Sequence, residues 1–176
     1  MKNDQVILVS EDNTPRGIME KLEAHQKAEL HRAFSIFIFN SKGEMLLQKR
    51  ALSKYHSGGR WTNTCCGHPQ PGMDLETCAH ARLNEEMGFD CTFKNAFDLT
   101  YKAELDNGLT EHEYDHVFLG YYDGLPKSNP LEVSHWKYQN TTRLQEDVKR
   151  NPDNYTAWFK IILPQLLNHI QTKKTI

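Results

Sequence analysis

The chain has 176 residues, 38% hydrophobic and 25% charged, with a formal net charge of -2 and a pI near 6.5. That length fits one domain with one sizeable core, and the composition is that of a globular protein. The charge balance gives no electrostatic case for nucleic acid or an anionic membrane as partner, and no apolar run approaches a membrane span of about 20 residues.

In chain order, MKNDQVILVSEDN carries charge on both sides of a short apolar run, unlike a signal peptide, and residues 5–10 read as a strand. Residues 15–30 read as a turn followed by a polar loop or short helix. AFSIFIFN (33–40) is apolar, aromatic and β-branched, as a strand buried on both faces would be. NSKG turns the chain and EMLLQKR (44–50) returns as its hairpin partner. ALSKYHSGGRW (51–61) is a loop, and WTNTCC (61–66) a short strand. DLETCAHARLNEEMG (74–88) predicts a helix: Asp74 caps it, Leu75, Ala79, Leu83 and Met87 share a face, and Gly88 stops it. Residues 89–105 and 111–124 read as strands around a DNG turn. Residues 140–154 read as a capped helix and loop, and 155–174 as an amphipathic helix with a kink at Pro164. Strands on both sides of one internal helix, with helices at the C-terminal end, predict an α/β sandwich. No repeat or linker marks a boundary, so 1–176 is read as a single domain.

The four cysteines are Cys65, Cys66, Cys78 and Cys91. Adjacent cysteines pair only with strain, and no CxxC is present for a zinc ribbon. They read as thiols in a reducing cytoplasm. Glu111 and Glu113 stand at i and i+2, so a strand puts both carboxylates on one face and His112, Tyr114 and His116 on the other. Those carboxylates with His25, His31 and His68 would suit a five- or six-coordinate ion such as Mn²⁺ or Zn²⁺. Taken singly, each histidine reads more simply as a surface or capping residue. His56, His80, His112, His116, His135 and His169 keep that simpler reading.

The stretch from Gly67 to Phe89 ends in Leu83, Glu85, Glu86, Gly88 and Phe89, and resembles the second half of the Nudix box, whose helix glutamates hold a metal against a diphosphate. Met73 stands where that box has its first glutamate, and Ala81 and Arg82 where it has Arg-Glu. A hydrolase relies on that full cluster for its metals and attacking water, so this helix is suited to hold a metal–diphosphate but poorly equipped to hydrolyse it.

In order along the chain run EKLEAH, LHRAFSIFIFN, LLQKRALSK, WTNTCCGHPQPG, ARLNEEMG, TYKAELD, NGLTEHEYDHVF and TAWF. These segments, over residues 4–165, resemble the type I isopentenyl-diphosphate isomerases of the Nudix superfamily. The resemblance implies a Nudix-type α/β/α sandwich with a mixed sheet and C-terminal helices. It also implies interconversion of isopentenyl and dimethylallyl diphosphate through a tertiary carbocation. It makes Cys66, Glu113 and Tyr101 catalytic; if Cys65 and Cys66 lie on a strand, Cys65 points to the opposite face and reads as a small core residue. Lys21, Arg50, Lys54 and Arg82 would contact phosphate, and Trp158 would face the cation. His25, His31, His68, Glu111 and Glu113 would hold Mn²⁺ or Zn²⁺. Glu86 and the backbone carbonyl of Cys66 would hold Mg²⁺ with the diphosphate. The expected partner is a small isoprenoid diphosphate, with no nucleic acid or membrane, and the chain is expected to be a monomer. The alternatives are a Nudix-type diphosphate hydrolase, which needs the full helix carboxylate cluster, and a non-enzymatic diphosphate-binding module, which needs no thiol opposite a carboxylate.

Overall fold

The structure, a computed structural model, describes residues 4–174. Its first strands, β1 (Gln5–Val9) and β2 (Pro15–Glu20), pair antiparallel, and helix α1 (Lys21–Lys27) follows at once. The expectation of a turn and polar loop over 15–30 is therefore corrected: β2 is an exposed edge strand whose PRGIME carries no apolar alternation to announce it. The short helix of that expectation is present, capped by the Glu20 side chain, which accepts from the Glu23 N–H at 3.0 Å.

Strand β3 (His31–Phe39) is the centre of the sheet. It pairs with β1, with β4 (Glu44–Arg50), with β6 (Cys65–Gly67) and, in parallel, with β8 (Thr110–Tyr121). The two-residue β5 (Trp61–Thr62) lies on β4, so WTNTCC forms two short strands around Asn63 and Thr64 rather than one. Strand β7 (Phe93–Glu104) pairs antiparallel with β8 over its length. Strand β9 (Val133–Asn140) pairs antiparallel with β4. Helices α2 (Leu75–Met87), α3 (Thr141–Arg150) and α4 (Ala157–Lys174) complete the described residues, and α4 continues unbroken through Pro164.

The alternation of β3 divides the core. Phe34, Ile36 and Ile38 pack with Cys65, Phe118 and the α2 residues Cys78, Ala79, Leu83 and Met87. Phe37 and Phe39 face the other way, onto Trp158, Phe159, Ile162, Leu163 and Leu166 of α4. Two helical layers on one mixed sheet make an α/β/α sandwich. Helix α2 ends as its sequence predicts. Asp74 accepts from the Thr77 N–H at 2.9 Å, and Gly88 adopts φ 71°. A Cβ at Gly88 would lie 2.2 Å from the Lys127 carbonyl oxygen, so that position needs glycine for space as well as for conformation.

Candidate active site

Side-chain alternation decides which groups meet. Ser35 of β3, Cys66 of β6, and Glu111, Glu113 and Asp115 of β8 all point to the α4 side of the sheet, whereas Cys65 is buried against α2. Across three adjacent strands His31, Glu113 and Tyr101 are register partners, so they stand in one row. The Tyr101 hydroxyl donates to Glu113 Oε2 at 2.6 Å.

His25 projects from α1 and His68 from just beyond β6 toward that row. The imidazole nitrogens and carboxylate oxygens of His25, His31, His68, Glu111 and Glu113 lie within 4.8 Å of one another, and all five residues but His68 are buried. The hydrogen bonding prepares them for a cation. Nδ1 of His25 lies 2.7 Å from the Lys21 carbonyl, and Nδ1 of His31 lies 2.8 Å from the Glu29 carbonyl. A carbonyl only accepts, so each Nδ1 carries a hydrogen, and the neutral ring offers its Nε2 lone pair to a cation. Among the described residues Nε2 of His31 is buried without a hydrogen-bond partner, 3.7 Å from Glu113 Oε1. Nε2 of His25 lies 3.0 Å from Glu111 Oε2, and Nε2 of His68 lies 2.8 Å from Glu113 Oε1. Lone pairs and carboxylates turned on one point fit a divalent cation.

The cluster opens into a cavity of about 660 Å³. Cys66, Tyr101 and Trp158 line it, as do Lys21, Arg50, Lys54 and Arg82. Carboxylates outnumber these cations along the wall, since Asp4, Glu85, Glu86, Glu111, Glu113 and Glu132 also face it. An anionic ligand therefore needs metal cations to enter on favourable terms. Lys21 pairs with Asp4, and Arg82 reaches Glu86 at 2.6 Å. The other oxygen of Glu86 accepts from Gln48 Nε2 at 2.6 Å. Gly67 is small by necessity, because a Cβ there would lie 2.9 Å from the Phe34 ring and 3.4 Å from Arg82.

Trp158 is held from the loop between β5 and β6. Its indole N–H donates to Asn63 Oδ1 at 3.2 Å, and the Asn63 amide donates to the carbonyls of Cys65 and Ile36. The Arg50 guanidinium lies 5.2 Å from the centre of the Trp158 ring.

Burial pushes the Cys66 thiol far above its ordinary value, with Glu86 adding to the rise and Arg50 opposing it. Burial opposes ionisation of Glu113, yet the neighbouring His31 and the Tyr101 hydroxyl outweigh it and leave the group below its ordinary range. Burial holds His68 well below its usual value, helped by His31. The site thus presents a protonated thiol and an ionised carboxylate to one cavity.

Two histidines expected at the surface or in caps are buried. His56 is in the loop after β4, 5.8 Å from Trp158 ring to ring, and burial and then Arg50 hold it down to about 3. His116 lies on the opposite face of β8, hydrogen-bonded to Asp98 at 2.9 Å. Sequence reasoning missed His56, Gln48, Asn63 and Glu132 in the site. Asn63 stood beside the singled-out cysteines, whereas the others carry no spacing signal.

The sequence profile of the NUDIX domain matches residues 29–159. The fold agrees: a structure from Deinococcus radiodurans superposes with a TM-score of 0.71 at 16% identity, covering 84% of this chain and 90% of that one. The MutT protein of Methanosarcina mazei superposes with a TM-score of 0.65 at 19% identity, covering 82% and 96%. Sequence relatives are far nearer. An isopentenyl-diphosphate Delta-isomerase of Pectobacterium atrosepticum is 48% identical over 171 residues, 97% of this chain and 96% of the relative. An isopentenyl-diphosphate Delta-isomerase 2 of Photorhabdus laumondii is 52% identical over 158 residues, 90% and 89%. This NUDIX-domain chain belongs to the isopentenyl-diphosphate Delta-isomerase family.

Proposed function

We propose that the chain interconverts isopentenyl diphosphate and dimethylallyl diphosphate, with Cys66 and Glu113 as the two proton-transfer groups. The observation that carries this mechanism is a half-buried thiol and a buried carboxylate facing one cavity beside cationic side chains. A proton added to C4 takes the alkene π pair into a new C–H bond and leaves a tertiary cation at C3. The C2–H pair then forms the new C2–C3 double bond, and that proton passes to the second group. Alkenes are weak bases, so the acid must work in a dry, buried place. Tyr101 holds Glu113 by its hydroxyl. Trp158, fixed by Asn63, turns an aromatic ring toward the cation, a contact of roughly 0.5–2 kcal/mol.

Lys21, Arg50, Lys54 and Arg82 bind the diphosphate and so orient a small apolar tail. Mn²⁺ or Zn²⁺ on His25, His31, His68, Glu111 and Glu113 would supply a fixed positive field beside the proton-transfer carboxylate, and Mg²⁺ brought by the diphosphate would sit at Glu86 and the Cys66 carbonyl. Two carboxylates that hydrolysis needs are replaced, the box's first glutamate by Met73 ahead of α2 and the glutamate of its Arg-Glu by Arg82, which favours isomerase over hydrolase. One continuous sheet supports a single domain, and the chain is read as a monomer. Among the described residues no helix is long and apolar enough to cross a membrane, and four free thiols fit a reducing cytoplasm.

Cys66→Ala and Glu113→Gln are expected to lower turnover by about 10²–10⁴-fold, the usual range for a positioned acid or base, while inorganic diphosphate still binds. Wild-type turnover in either variant would remove that residue from the chemistry.

A further inference from the structure

We propose that Glu132 is a positioning residue for the diphosphate, its Oε2 fixing the spacing of Lys54 and Arg82 so that both can donate to the ligand from one side of the cavity. The inference rests on the diphosphate reading above. Both cations donate to the same oxygen: Lys54 Nζ lies 2.5 Å from Glu132 Oε2, and Arg82 Nη2 lies 2.7 Å from it. Lys54 sits in the loop after β4 and Arg82 on α2, so this one oxygen spans two elements that neither cation could join alone. Glu132 is itself anchored by its main chain. Its carbonyl accepts from the Ala51 N–H at 2.9 Å, at the start of the loop that carries Lys54, and its own N–H donates to the Asn129 carbonyl at 3.0 Å. The carboxylate faces the same cavity as both cations. An ammonium with three donors and a guanidinium with five can keep this shared oxygen and still donate to a phosphate in the cavity.

Two physical effects make opposite predictions, which makes the role testable. If Glu132 acted through charge alone, it would repel a diphosphate, and its neutralisation would tighten binding. If it sets the spacing of Lys54 and Arg82, its neutralisation loosens the cradle and weakens binding.

The test is titration calorimetry of Mg²⁺–inorganic diphosphate against the metal-loaded protein, with steady-state kinetics beside it. Glu132→Gln is expected to weaken diphosphate binding about tenfold, the low end of what losing a supporting partner costs a ligand site. KM for isopentenyl diphosphate should rise in step while kcat holds, since Glu132 touches no reacting group. In a Lys54→Met background the same substitution should cost clearly less, because the two act together. Unchanged or tighter binding in Glu132→Gln overturns the proposal, and so does a cost that is fully additive with Lys54→Met. Should Glu132→Gln fold poorly, Glu132→Asp carries the same test. An arm one methylene shorter cannot bridge both cations, so weaker binding is expected and wild-type affinity overturns the idea. A wild-type protein that binds inorganic diphosphate but leaves isopentenyl diphosphate unchanged would sink the isomerase reading alone, with the Glu132 comparison still decided by binding. A wild type that binds no diphosphate would overturn both.

Discussion

Cys65 and Cys66 are neighbours in sequence, yet one is enclosed between β3 and α2 and the other lines the cavity. The pleat of β6 makes that difference. Burial acts on both thiols in the same direction, raising them above their ordinary value, and it raises the half-buried Cys91 to about 11. A raised value means less thiolate at a given pH, and only thiolate alkylates. Native protein at pH 8 should therefore take iodoacetamide at Cys66 and Cys91 at least about tenfold more slowly than free cysteine does, with a rate that climbs through pH 9 and 10. Peptide mass spectrometry reads each site. Unfolding in urea without reductant should expose all four free thiols to labelling. Labelling of native Cys66 at the rate of a free thiol would contradict a protonated thiol in the site.

At the scale of elements, the legible parts were those with a strong period or cap. The i, i+4 face of α2 reappears as Ala79, Leu83 and Met87 in the core, and Asp74 and Gly88 close its ends. Leu83 is fully buried between α2 and β3, so Leu83→Ala should cost about 2–5 kcal/mol in urea unfolding, with the slope unchanged. A cost under about 1 kcal/mol would mean that α2 does not depend on that face. The Glu111/Glu113 spacing placed both carboxylates on one face, and β8 keeps them there. The elements that escaped were edges. β2 is exposed nearly throughout, and β9 is half-buried against β4, so neither alternates apolar with polar in the way that announces a strand. Glu132 escaped for the same reason, standing just before β9 with nothing local to mark it.

At the scale of the molecule, the site exists because β3 is flanked by both β6 and β8. That topology brings the Cys-Gly-His turn against the Glu-x-Glu strand, and α1 then adds His25 from the far end of the chain. Periodicity and spacing could name these candidates but could not make them converge, since convergence is a property of strand order and register. The resemblance to a known family supplied it, and the geometry agrees in the five groups within 4.8 Å of one another. His56 shows the converse: a loop residue becomes part of the wall only when the loop folds over α4.

The most direct measurement is proton NMR of isopentenyl diphosphate incubated with the protein, Mg²⁺ and Mn²⁺ in D₂O. Dimethylallyl diphosphate carrying deuterium is expected, with no release of phosphate and no conversion by protein stripped with a chelator until metal is restored. Substrate left unchanged by fully metallated protein, or phosphate released in place of isomerisation, would contradict the isomerase reading.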